Sequence, residues 1–254
     1  MNLSLRKAAM LAATLCACAC APTPPGPIER YMSVIDPGGG EPRAGVVLVP
    51  GCDGPGRNVA AAAESLAGDG FVVLTLDYPA AYVRDGGCST SRVARMAGDV
   101  VRAANRLREL PDVDPARIHL VGWAEGGAGV MQVLGDPDLA RQAGARAAAT
   151  LYPTCAALGS KWHIGVPFLM LLGEADKIAP PQHCIAIAEN AVGAERILAI
   201  RYGGAGHAFD AATTGGFFSS AASGDPRLRE AALQDIRLFF GSGPAAPSRP
   251  APDR

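Results

Sequence analysis

Three short stretches bring together the residue types of nucleophilic acyl chemistry. They are "VGWAEGGAGV" (121–130), "EADKIAP" (174–180) and "AGHAFD" (205–210). The first is entered by an apolar run, "RIHLV" (117–121), and left by the helix-compatible "GAGVMQVL" (127–134). A strand, a sharp glycine turn and a helix form the context in which G-x-S-x-G lifts a serine onto a strained corner. Gly122 and Gly126 occupy the two glycine positions, and the middle residue is Ala124, which carries no nucleophile. Downstream, Asp176 and then His207 complete the order turn, acid, histidine. In such a set a serine attacks an acyl carbon, the imidazole takes and returns its proton, and the carboxylate fixes the imidazole tautomer. Two backbone N–H groups hold the oxyanion. Glu125 supplies one, at the positive end of the following helix, and the loop "PGCDGPG" (50–56) supplies the other at Cys52 or Asp53. The side chain of Glu125 is expected at the solvated rim.

The same glycines do not make a phosphate cradle. A G-x-G-x-x-G count from Gly127 and Gly129 reaches Gln132, and no P-loop lysine is present. The other histidines have duller expected places: His119 inside a strand and therefore core, His183 at a helix start beside Pro180 and Pro181, and His163 with no motif around it. Substitute nucleophiles are Cys52 in the first loop, and Ser89 and Ser91 near a rim loop.

The elements that must position these residues are legible as apolar runs. Six have strand length: 46–49, 71–76, 117–121, 147–152, 167–172 and 196–202. Their near-continuous hydrophobicity predicts strands buried on both faces. Helices are predicted over 57–68, 91–110 and 225–240. The second carries Val93, Met96, Ala97, Val100, Ala104 and Leu107 at three- and four-residue steps, and the third has Pro226 in its first turn. "YMSVID" (31–36) reads as an antiparallel edge strand. Strands alternating with helices predict one α/β domain, a mostly parallel sheet of six to eight strands covered on both faces, with chemistry at the carboxyl ends of the strands. At 254 residues and 49% hydrophobic content, the chain is long enough for one large core.

On "LVPGCDGPG", "GWAEGG", "YPTC", "GEADKIAP" and "GAGHAFD" the chain resembles the α/β-hydrolases of the dienelactone hydrolase-like group, over roughly residues 30–240. That resemblance implies hydrolysis of small ester, lactone or thioester bonds through a Ser/His/Asp-type triad, without metal or organic cofactor. By it the catalytic positions are Ala124 (where serine is expected), Asp176 and His207. Ala124 departs from the pattern in a way that bears on activity rather than fold. The sheet order of this fold also places the strand at 46–49 beside that at 71–76, and 147–152 beside 167–172. Beyond the lipobox cysteines Cys18 and Cys20, four remain, Cys52, Cys88, Cys155 and Cys184, and three pairings are open to them. The fold favours Cys52 with Cys88 and Cys155 with Cys184, which removes Cys52 as a nucleophile.

The chain ends are not expected to join the core. Residues 1–17 read as an export signal, with Arg6 and Lys7 before a short apolar stretch. "LCAC" resembles a lipobox, with Cys18 as the lipidated residue and Cys20 the alternative. Residues 18–30 read as a Pro-rich tether, 31–241 as the catalytic-type domain and 242–254 as a Pro-rich disordered tail. Removing the leader leaves 21 basic against 24 acidic residues, a balance that argues against nucleic acid as partner. The expected location is the bacterial periplasm or cell envelope, with contact to the membrane only through the lipid. Two other classes of function stand beside hydrolysis. One is a ligand-binding pseudoenzyme that holds an ester-like small molecule without cutting it; the other is an enzyme whose nucleophile has moved elsewhere, to another side chain or to a water activated by His207.

Overall fold

A computed structural model describes residues 28–38, 42–82, 90–159, 162–211 and 224–241. Strands β1 (Met32–Ile35), β2 (Arg43–Val49), β3 (Val72–Leu76), β4 (Val113–Trp123), β5 (Ala145–Leu151), β6 (Phe168–Gly173) and β7 (Ile197–Tyr202) form one sheet in the order β1-β3-β2-β4-β5-β6-β7. Only β1 runs antiparallel, pairing Met32–Ile35 with Leu76–Val73 at the sheet edge. Helices α1 (Arg57–Gly68), α2 (Tyr78–Ala81), α3 (Thr90–Arg108), α4 (Ala124–Gly135), α5 (Pro137–Ala143), α6 (Pro181–Asn190) and α7 (Pro226–Gly241) connect or follow the strands.

Side-chain alternation divides the core in two. Val47, Val49, Ile118, Leu120 and Met170 point toward α3, α4 and α6. Val46, Leu48, Val121, Trp123 and Leu169 point toward α1 and α7. Each enclosed Val or Leu contributes roughly 1.5–3 kcal/mol by leaving water, so both faces of a central strand select apolar residues and the sequence reads as an unbroken run. β7 is the exception. It was expected to be covered on both sides, yet it lies at the sheet edge, and its residues alternate between partly buried and exposed. The tether also ends earlier than expected: Ile28–Tyr31 forms a 3-10 turn, and Ile28 is buried in the core. The leader, Cys18, Cys20 and the tail from 242 lie outside the described residues.

β3 and β1 lie on one side of β2, and from β4 onward the chain builds on the other side. The boundary between β2 and β4, with Val49 opposite Gly122, is therefore the switch point of the sheet, where ligands bind in open α/β folds. The β5 loop is tied down as well, because Cys155 and Cys184 form a disulfide with Cα atoms 5.2 Å apart. It joins the loop leaving β5 to α6, across neighbouring strands. Cys52 is disulfide-bonded too; its expected partner Cys88 lies outside the described residues. Among those residues no helix is long and apolar enough to cross a membrane.

Two predictions concern stability. The Cys155–Cys184 bridge closes a 29-residue separation, a constraint on the unfolded chain of roughly 3.6 kcal/mol. The double change Cys155→Ala and Cys184→Ala should lower unfolding free energy by about that amount in urea titrations. The second prediction concerns His119, buried between Phe71 and Phe240 with ring centroids 6.0 and 4.4 Å away, its Nδ1 without a hydrogen-bond partner. Burial, reinforced by the Arg117 and Arg146 cations, pushes its pKa down to about 4, against about 6.5 in an unfolded chain. As pH falls, the unfolded chain takes the proton first. Stability complete above about pH 6.5 is therefore lost progressively toward pH 4, by ~3 kcal/mol. His119→Phe should remove that part of the slope; parallel stability curves for the two proteins between pH 7 and 4.5 would contradict it.

Candidate active site

The turn from β4 into α4 passes through Trp123 in extended geometry and Ala124 at φ +47°. It is possible only because the flanking positions lack side chains. A Cβ on Gly122 would stand 2.6 Å from the Gly126 carbonyl oxygen and 2.7 Å from Gly127. A Cβ on Gly126 would collide with the carbonyl oxygens of Val49 and Pro50. The N-terminus of α4 thus sits directly on the end of β2. A Cβ on Gly51 would lie 3.1 Å from the Ala124 methyl, which brings the loop after β2, with Cys52 and Asp53 next in the chain, against the turn.

From Ala124 a series of contacts leads across the carboxyl ends of β5, β6 and β7. Thr154 donates its backbone N–H to the Ala124 carbonyl at 3.2 Å. Two residues earlier, at the end of β5, the ring of Tyr152 packs edge-on against the His207 imidazole, centroids 4.9 Å apart. His207 Nδ1 lies 2.8 Å from Asp176 Oδ2, and both side chains are buried. Asp176 Oδ1 accepts the backbone N–H groups of Ile178 and Ala179, each at 2.8 Å. The carboxylate is therefore fixed by its own loop before it meets the ring. An ionised carboxylate only accepts, so Nδ1 donates, and Nε2 is the basic nitrogen of the neutral imidazole. Three non-glycine residues among those described have positive φ: Ala124, Tyr152 (+39°) and Ala208 (+53°). All three are at this rim, where backbone strain collects in functional sites.

Glu125 differs from its expected place at the solvated rim. It is half-buried, and its Oε2, 3.4 Å from where a Gly51 Cβ would be, is enclosed without a hydrogen-bond partner. The close approach of the β2 loop covers it, and the helix N-terminus favours its charge there. His163 and His183 are exposed, and His119 is in the core. Cys52, being disulfide-bonded, offers no thiolate; Ser91 lies in α3, and Ser89 lies outside the described residues. Among those residues no group of three His, Cys, Asp or Glu could hold a metal ion. A cavity of about 340 Å³ lined by Gln132, Asp136, Leu139 and Trp162 among others opens near the far end of α4 and contains none of these groups.

Sequence reasoning missed a second buried carboxylate, Asp210. It accepts from Tyr152 Oη at 2.6 Å, Trp123 Nε1 at 2.8 Å and Asn58 Nδ2 at 3.3 Å from each oxygen. Burial pushes its pKa up, opposed by these hydrogen bonds. Burial also drives the Tyr152 hydroxyl well above its usual range, and the facing carboxylate adds to this. The only trace in the sequence is an aspartate three residues after the histidine; its partners come from positions 58, 123 and 152, which no local pattern connects.

The model of the dienelactone hydrolase family matches residues 33–242. Among solved structures, a protein of Klebsiella pneumoniae subsp. pneumoniae MGH 78578 classed with the dienelactone hydrolases superposes with TM-score 0.63 at 18% identity, over 80% of this chain and 89% of that one. Esterase 2 of the planctomycete Thermogutta terrifontis, in its butyrate-bound form, superposes with TM-score 0.64 at 19% identity, over 86% and 91%. The same esterase phosphonylated by cyclosarin gives 0.64 at 20%, over 85% and 90%. A comparison with curated proteins finds no match. Since the family model spans all seven strands but the first residue of β1, and takes in the β4–α4 turn and both loops of the His207–Asp176 pair, the chain belongs to the dienelactone hydrolase family.

Proposed function

We propose that this chain is an α/β-hydrolase scaffold for small ester, lactone or thioester compounds in which Ala124 occupies the nucleophile's place, so that turnover is lost or severely reduced. The observation that carries the reading is the buried His207–Asp176 pair, held at the same rim as a strained turn built for a nucleophile. A serine at 124 would attack the acyl carbon while His207 Nε2 takes its proton. The oxyanion would meet the N–H of Glu125 and that of Cys52 or Asp53. The imidazolium, stabilised by Asp176, then protonates the leaving group, and a water activated by the same nitrogen releases the acid. Losing the nucleophile of a comparable triad costs ~10⁶-fold in turnover, about 8 kcal/mol of barrier. That one relative in fold is an esterase seen both butyrate-bound and phosphonylated supports the substrate class.

A second reading is favoured by the substitution itself. The strained turn, the helix N-terminus and the His–Asp pair are kept while the hydroxyl is gone, which suits a pseudoenzyme that binds an ester-like ligand in the cell envelope. We place the chain there, exported and anchored through a lipid on Cys18.

Ala124→Ser should raise cleavage of a short-chain aryl ester by several orders of magnitude, as measured beside the unaltered chain at equal folded concentration. No gain, with folding intact, would remove the triad assignment. In the unaltered chain, a short-chain carboxylate or alkylphosphonate should raise the melting temperature in proportion to the logarithm of its concentration. An unmoved melting temperature across such a series would remove the binding reading.

A further inference from the structure

We infer that Asp210 is the positioning residue of the site: one buried carboxylate sets the turn at Ala124 and the imidazole of His207 in register. The inference rests on the reading above for its kinetic consequence, but its structural part stands independently. Three segments that converge on the rim each place one donor on the carboxylate of Asp210, which is carried by a fourth. Asn58 comes from the first turn of α1, directly after the β2 loop. Trp123 is the residue before Ala124, so its indole bond fixes the strand that ends in the strained turn. Tyr152 lies at the end of β5, and its ring is the surface on which the His207 ring rests. Asp210 itself follows His207 by three residues in the loop after β7, and its carbonyl accepts Arg229 Nε of α7 at 2.6 Å.

The donor count explains why a carboxylate is needed. Indole N–H, phenol O–H and amide N–H all donate toward position 210, and an ionised carboxylate only accepts, with room for all three. Asparagine offers one accepting oxygen and presents N–H groups to the remaining donor, leaving a buried donor unsatisfied. A polar group this enclosed also has no shallow second arrangement, because the Trp123 indole and the Tyr152 hydroxyl lose the acceptor they share if it turns. Asp210 touches neither a reacting atom nor the imidazole's hydrogen bond to Asp176. It acts through Tyr152 and Trp123.

The test uses Asp210→Asn, Tyr152→Phe and the exchange pair Asn58→Asp with Asp210→Asn. The pair returns a carboxylate and an amide to the same cluster, with positions swapped. In the Ala124→Ser background, Asp210→Asn should lower kcat about 100-fold, the scale of a catalytic group displaced by about 1 Å, with KM changed by less than about three-fold. Tyr152→Phe should lower kcat in the same direction, and the exchange pair should recover most of the loss. In the unaltered Ala124 chain, the His207 ring proton signals, assigned by comparison with His207→Gln, should move on Asp210→Asn and return in the exchange pair. If Ala124→Ser gains no activity but those signals move and return, the positioning role stands and the hydrolase reading falls. If activity is gained and Asp210→Asn lowers only the melting temperature, with kcat and the His207 signals unmoved, Asp210 is a core polar group and the inference is overturned.

Discussion

The N-terminus of α4 lies so close to the ends of β2 and β5 that its glycines have no room for a side chain. At Gly126 the carbonyl oxygens of Val49 and Pro50 occupy the space, and at Gly127 it is Pro153. From this approach follow the left-handed backbone at Ala124, the placement of the Glu125 side chain beside the β2 loop, and the contact between Ala124 and Thr154. A helix N-terminus pressed into the switch point of a parallel sheet concentrates unpaired N–H groups and a positive partial charge where a ligand oxygen can use them. None of this depends on which side chain stands at 124. The scaffold therefore has this electrostatic character with alanine at position 124.

Two buried carboxylates divide the remaining work. Asp176 is tethered by the N–H groups of its own loop and speaks to one partner, His207. Asp210 takes a hydrogen bond from its own backbone but also gathers donors from three distant segments. The first arrangement can be set by a short loop alone. The second requires the ends of β4 and β5, the start of α1 and the loop after β7 to be assembled; it contains the strained Tyr152 and, through Trp123, adjoins Ala124.

The sequence was most informative where one periodicity dominated. The helix over 57–68, the edge strand before it and the central strands were legible because apolar spacing and burial agree there. It was less informative at the margins. β7 looks as apolar as a central strand, but lateral position in a sheet is not encoded in a strand's own composition. Glu125 looks like a surface residue, and only the approach of Gly51 encloses it.

By itself the sequence determined a doubly covered parallel sheet, the location of three loops at its carboxyl edge, and the absence of a hydroxyl at the turn. These follow from local chemistry: apolar periodicity, glycine where a side chain cannot fit, and residue type at a fixed spacing. Tertiary structure alone decided which groups meet. The 2.8 Å bond between positions 176 and 207, and the cluster joining 58, 123, 152 and 210, exist only after seven strands have taken their order. Hydrogen bonds act over about 3 Å, whereas the residues that make them are separated by tens of positions along the chain.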